Sequence, residues 1–343
     1  MKKSIALCVA ILLAGCSIDT EKFVPSFLQS SAGHNVSAYT TSLNKKEINV
    51  IRDGVTFNDG SYITPEGEGP ILLPKGYYFI HQSGGRILAA NRYGEMLILK
   101  SNGEEIARVK LDSPLVSGAT YSGGVVYLLQ GNKFGLYDPF RNKITYQKQL
   151  KGGSIVDTRL ANPLVATNFI ALPTLDGKLI LISRVKPSAP VAIPIGKTKS
   201  YGNIIFLQPL GDKIIAATPS NVIAIAPNGK KEIEAKVADI TIKNGIIYLL
   251  TRDGKVMKLD SNLNEIASRQ YANADYATIA VLDGKIYAYA KSGSLVVMDD
   301  NLQNYKVYSI GSARDYSYVS GKYLYIDNKK VDLSALDYKW VAI

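Results

Sequence analysis

One short pattern recurs down the chain and constrains its fold more than any other feature. A polar or glycine-containing turn leads into four or five β-prone residues, a second turn follows, and another β-prone run comes after it. The first run appears as Arg86-Ile87-Leu88-Ala89-Ala90, Val125-Val126-Tyr127-Leu128-Leu129 and Phe169-Ile170-Ala171-Leu172. It returns as Ile214-Ile215-Ala216-Ala217, Ile246-Ile247-Tyr248-Leu249-Leu250, Ile286-Tyr287-Ala288-Tyr289 and Tyr323-Leu324-Tyr325-Ile326. From Ile87 to Tyr323 there are 236 residues in six intervals, an average of 39. A period of about 40 residues with four strands per unit marks a β-propeller.

The turns support this register. The second turn of each unit holds Tyr93-Gly94, Gly131-Asn132, Asp176-Gly177, Ser220-Asn221, Asp253-Gly254, Ser292-Gly293 or Asp327-Asn328. These residue types tolerate the positive φ that tight hairpins need. The runs that follow, such as Leu179-Ile180-Leu181-Ile182 and Leu295-Val296-Val297-Met298, are apolar throughout. Strands covered on both faces read that way, as the middle strands of a blade packed between neighbouring blades must. No window holds a long 3.6-residue apolar period, which disfavours α/β folds. The expected fold class is therefore all-β, a propeller of four-stranded antiparallel blades over residues 46–343.

Seven recurrences give seven blades as the first reading and eight as the alternative. The alternative rests on residues 47–63, where Ile48-Asn49-Val50-Ile51 and Val55-Thr56-Phe57 form a further hairpin-like stretch. On the seven-blade reading this stretch completes the last blade beside residues 338–343, joining the ends of the ring and protecting its edges.

The N-terminus reads as an address. Lys2 and Lys3 precede eleven uncharged residues, 5–15, and then Cys16. Eleven residues are too few for a helix to span a bilayer, which takes about 20. The combination reads as a secretory signal. Leu13-Ala14-Gly15-Cys16 resembles the lipobox of bacterial lipoproteins, which implies cleavage before Cys16 and acylation of its thiol and new amino group. Cys8 would be discarded with residues 1–15, leaving Cys16 as the mature chain's one cysteine and no disulfide. Loss of Lys2 and Lys3 would take the formal charge from +11 to +9. Ser17, not Asp, follows the cysteine, and the resemblance then implies transfer to the outer membrane. Residues 16–45, scattered with serine and lacking apolar periodicity, read as lipidated cysteine and flexible tether.

Three units share a third strand ending in Asp, a turn and an outer strand: Leu259-Asp260 running to Glu265-Ile266, Met298-Asp299 running to Leu302-Gln303, and Tyr137-Asp138 continuing into Asn142-Lys143-Ile144. This resembles a degenerate pyrroloquinoline-quinone-type propeller repeat. Together with the lipobox, the chain from Cys16 to Ile343 is similar to BamB-like outer-membrane lipoproteins, propellers that scaffold β-barrel assembly. The family's Gly after the Asp turn and its outer-strand Trp are missing; the sole Trp is Trp340. Packing between blades must then use Tyr, Ile and Leu.

Catalytic chemistry finds little support. His34 lies in the tether and His81 stands alone in a strand, so no convergent His set for a metal is visible. No Gly-x-Ser-x-Gly elbow, phosphate loop or calcium loop occurs. Asp299-Asp300 and Asn58-Asp59-Gly60 are accounted for as turn residues. The charge pairs Lys45-Lys46, Lys197 with Lys199, Lys230-Lys231 and Lys329-Lys330 form no long basic run, which disfavours nucleic acid. Tyr is abundant (22), and Arg269-Gln270-Tyr271 and Arg314-Asp315-Tyr316 fall at blade junctions where a partner could bind. The expectation is a non-enzymatic scaffold without cofactor or metal. It would be lipid-anchored at Cys16 with its propeller facing the periplasm, and its partners would be envelope proteins, above all the barrel-assembly machinery. Alternatives are a scaffold of a secretion or motility complex, or a glycan-binding or enzymatic propeller.

Overall fold

The computed structural model describes residues 39–196, 202–271 and 274–336. These contain eight antiparallel sheets of four strands each. Seven blades are continuous in sequence: 47–68, 77–110, 115–149, 164–194, 206–234, 237–270 and 276–309. The eighth takes three strands from Ser317–Ser320, Tyr323–Ile326 and Lys329–Asp332, and its outermost strand is Thr40–Ser42 from the other end of the chain. The ring is thus an eight-bladed propeller, the alternative count, and the seven-blade reading is corrected.

The error had a physical source. The second strand of blade 1, Gly54–Phe57, has four residues, and the strands after it, Tyr62–Thr64 and Gly67–Glu68, have three and two. Too short to show the 39-residue period, residues 47–63 read as a closing fragment, yet they form most of a blade. Closure falls instead to Thr40–Ser42, inside the stretch read as tether, with Thr41 opposite Lys330. Residues 338–343, Cys16, His34 and Trp340 lie outside the described residues.

Middle strands are buried almost completely, as their uniform apolar runs require: every residue of Gly124–Leu129 is buried. Adjacent blades share apolar clusters. Ile80, Leu88 and Met96 of blade 2 meet Val125, Tyr127 and Leu129 of blade 3, and the joint between first and last blades packs Val55, Phe57 and Ile63 against Tyr316, Tyr318 and Tyr325. Tyrosine does the packing that the missing tryptophans would do: Tyr62, Tyr127, Tyr137, Tyr276 and Tyr289 are fully buried.

Six of the seven second turns have the expected conformation: Gly94, Gly131, Gly177, Gly254, Gly293 and Asp327 have positive φ, whereas neither Ser220 nor Asn221 does. In the Asp turns, Asp260 accepts from the backbone N–H of Asn262 and Asn264, and Asp299 from those of Gln303 and Asn304.

Candidate functional site

The site grows from a defect repeated on the inner strands. Where the innermost strand of a blade pairs with the second, the register slips by one residue in blades 1, 2, 3, 6 and 7. Each slip is a β-bulge, which bends the strand and leaves one residue outside the ladder. In blades 2, 6 and 7 the extra residues are Ile80, Ala238 and Ala277. Their carbonyls need donors, because a buried unpaired carbonyl is costly.

Those donors come from the connection between blades 3 and 4. Most connections in compact domains run about four to six residues; this one, 150–163, has 14 residues and no regular structure. It crosses the axis of the ring. Arg159 donates to the carbonyls of Ala238 (2.5 Å) and Ala277 (3.3 Å), while Asn162 donates to the carbonyl of Ile80 (2.5 Å) and to the Asp53 carboxylate (2.8 Å). The Asn162 oxygen accepts from the Gly118 N–H (3.0 Å), and the Ser117 hydroxyl donates to the carbonyl of Ala161 (2.8 Å). One short segment therefore touches the inner strands of blades 2, 3, 6 and 7.

Arg52, at the first turn of blade 1, reaches across the same space. Its guanidinium pairs with Asp239 of blade 6 at 2.5 Å, donates to the Ile240 carbonyl and lies over the Phe206 ring at 5.1 Å. Asp239 has its other oxygen on the Ile279 N–H of blade 7 (2.9 Å), and Arg159 sits 3.7 Å from it. Asp157 holds Arg159 at 2.5 Å and Arg252 at 3.4 Å. Burial pushes the Asp157 carboxyl upward, but the hydrogen bonds and charge of Arg159 together with the charge of Arg252 reverse this and hold it below the ordinary carboxylate range.

His81 is not isolated. Its Nδ1 accepts from the Thr120 N–H of blade 3 (3.3 Å), which requires that nitrogen to be unprotonated. Burial lowers the imidazole pKa against the pull of Asp53, and burial raises the Asp53 carboxyl against its hydrogen bond from Asn162 and the charge of His81. Tyr318 ends in the same region with its buried hydroxyl unpartnered among the described residues.

The remaining candidates fall elsewhere. A cleft of about 590 Å³ lies at the closure joint, lined by Lys45, Lys46, Arg314 and Lys329 together with Glu47, Asp315 and Asp327. Asp327 is engaged by the N–H groups of Arg314, Asp315 and Tyr316. Tyr316 and Tyr271 are buried, so the tyrosines of the two junction motifs serve the core and not a partner surface. Asp59 accepts from the Ser61 N–H (2.9 Å), and Asp300 pairs with Lys258 at 2.7 Å; both are structural. Among the described residues, no three His, Cys, Asp or Glu converge as metal ligands. The axial set itself was missed, because Arg52, Arg159 and Asp239 share no local spacing. The one available signal was the unusual length of 150–163, with Asp157, Arg159 and Asn162 in it.

No protein-family model matches the chain. In fold it is similar to BamB from Moraxella catarrhalis, with a TM-score of 0.63, 14% identity, and 85% of this chain and 97% of that one covered. AztD from Citrobacter koseri gives 0.55, 18%, 83% and 88%. In sequence it is 24% identical over 162 residues to the plasminogen-binding protein PgbB of Helicobacter pylori, covering 47% of this chain. The match spans 30% of the length of that relative. The solved structures establish a BamB-like propeller fold.

Proposed function

We propose that this chain is a non-catalytic scaffold of the bacterial cell envelope. Cys16 carries the acyl chains that anchor it to the outer membrane, the residues after it form a tether, and the ring faces the periplasm and docks another envelope protein. The observation that carries this reading is the bridged axis. A propeller's central channel is its natural concavity for a cofactor or substrate. Here it is crossed by Arg52 and by residues 157–162, whose charges and amides are spent on the inner strands. What remains for function is the outer surface of a closed, cross-braced ring. The fold likeness to BamB favours the β-barrel assembly machinery as partner.

Mild crosslinking followed by co-purification tests the partner. Recovery of a barrel-assembly component supports this reading, and recovery of a secretion or motility complex moves the scaffold to that machine. Glycan retention without protein partners contradicts it. The anchor is tested separately: the Cys16 peptide should carry acyl chains by mass spectrometry, and Cys16→Ala should leave the membrane fraction. The similarity to PgbB favours a second reading, in which the ring captures a soluble protein such as plasminogen. Saturable retention of plasminogen by the purified chain would support that alternative.

A further inference from the structure

The chain's positive charge is unevenly placed. Between Pro139 and Ser200 stand ten Lys and Arg but only two acids, Asp157 and Asp176. Both acids are already paired, with Arg159 and Lys178. The isolated lysine pairs seen along the sequence conceal this concentration, of which Arg141, Lys143, Lys148, Lys178, Arg184 and Lys186 lie in blades 3 and 4.

Part of that charge sits beside exposed apolar side chains. In each blade the turn between first and second strands and the turn between third and fourth strands share one end of the ring. At this end of blade 3, Phe140 projects from its turn with 75% of its surface exposed; at the equivalent turn of blade 4, Val185 is 90% exposed. A chain of contacts joins them. Arg86 of blade 2 lies over the Phe140 ring (5.6 Å) and donates to the Tyr121 carbonyl (3.0 Å), and Arg184 lies over the Tyr121 ring (5.2 Å) and donates to the Ser122 hydroxyl (3.3 Å). Lys143 and Lys186 flank the two apices and make no ion pair among the described residues.

We infer that this end of blades 3 and 4 is a docking surface for an anionic lipid bilayer, with Phe140 and Val185 entering the acyl boundary and the flanking cations meeting headgroup phosphates. Charge complementarity alone would suit an acidic protein. The shape favours lipid: two separate apolar apices project outward, whereas a protein partner would have to supply a pocket for each. The turns also suit insertion, since Pro139, Pro187 and Pro190 carry no N–H to desolvate. Basic residues near an anionic surface add attraction that salt weakens.

The test places a tryptophan at each end of the ring. Phe140→Trp, Val185→Trp and Tyr93→Trp are made in the full chain, each measured against the unsubstituted chain, whose only tryptophan is Trp340. Tyr93 is exposed at a turn on the opposite end and serves as the control. The probe is vesicles of phosphatidylethanolamine and phosphatidylglycerol carrying brominated acyl chains. Because the readout is position within the chain, membrane insertion of residues 5–15 does not mask it. The expected result is blue-shifted, bromine-quenched emission at 140 and 185 and none at 93. Lys143→Glu with Lys186→Glu should weaken that quenching binding by about tenfold or more. Quenching at 93 but not at 140 or 185, or no quenching at any position, overturns the inference. A photocrosslinker at 140 that captures an acidic protein in cells while no lipid quenching occurs overturns it in favour of a protein partner.

Discussion

Asp239 is the residue on which the axis turns. It is 6% exposed, accepts the Ile279 N–H, and faces both Arg52 and Arg159. Removing one partner of a buried ion pair costs about 3–5 kcal/mol, because the other charge is left without compensation. Asp239→Ala should therefore lower stability by about that amount in denaturant unfolding, and Asp239→Asn, which keeps an acceptor for Ile279, should lose less. Equal losses would mean that the ion pair contributes nothing beyond the hydrogen bond. His81 gives the axis a pH dependence whose sign follows from its lowered pKa. The unfolded chain protonates its histidine at about 6.5. The folded chain resists until lower pH, so stability is lost as pH falls from about 6.5 toward the folded value. Asp53 acts oppositely: with its pKa raised, the fold gains protons, and therefore stability, as pH falls through the folded value. His81→Asn retains an acceptor for the Thr120 N–H and removes the first effect. Between pH 7.5 and 5.5 the melting temperature of the unsubstituted chain should drop relative to that of His81→Asn; parallel curves would show that His81 does not titrate against folding.

At the scale of elements, turns set the register and their glycines differ in what they tolerate. Gly245 and Gly254 both have φ above +80°, so alanine is strained at either. At Gly245 an added Cβ meets nothing within 4 Å, whereas at Gly254 it would lie 1.9 Å from the Tyr271 carbonyl oxygen. Gly245→Ala should cost about 1 kcal/mol and Gly254→Ala clearly more, since the outer connection of blade 6 must move. Similar melting temperatures for the two variants would contradict this packing. The same contrast explains what could be read from the sequence. Second and third strands were legible because burial on both faces leaves long apolar runs such as Gly124–Leu129. Inner strands were not, since bulges interrupt their alternation and bring polar residues such as Asp239 and His81 to the axis. Leu263 and Leu302 replace the expected glycine at positive φ in the Asp turns. Both are buried, so apolar burial worth about 1.5–3 kcal/mol offsets about 1–2 kcal/mol of left-handed strain, a trade that turn chemistry alone does not reveal.

For the molecule as a whole, function and stability both depend on closure. Blade 8 borrows Thr40–Ser42, so the two ends of the folded chain are held in one sheet, and the axial segment ties blades 2, 3, 6 and 7 together from inside. Truncation after Ser320 removes two strands of blade 8, one of them the strand to which Thr40–Ser42 pairs, and should abolish cooperative unfolding. The claim beneath the rest is an eight-bladed ring closed by its N-terminal strand, and a disulfide across the closing pair tests it most directly. Directly opposed residues in an antiparallel pair lie about 4.5–5.5 Å apart at Cα, within disulfide reach. Thr41→Cys with Lys330→Cys should form a bond between those two positions under mild oxidation, identified by peptide mass mapping, and raise the melting temperature of a single cooperative transition. Failure of that pair to bond, with Val50→Cys bonding to Lys330→Cys instead, would place residues 47–51 in the last blade, restore the seven-bladed ring and contradict this account.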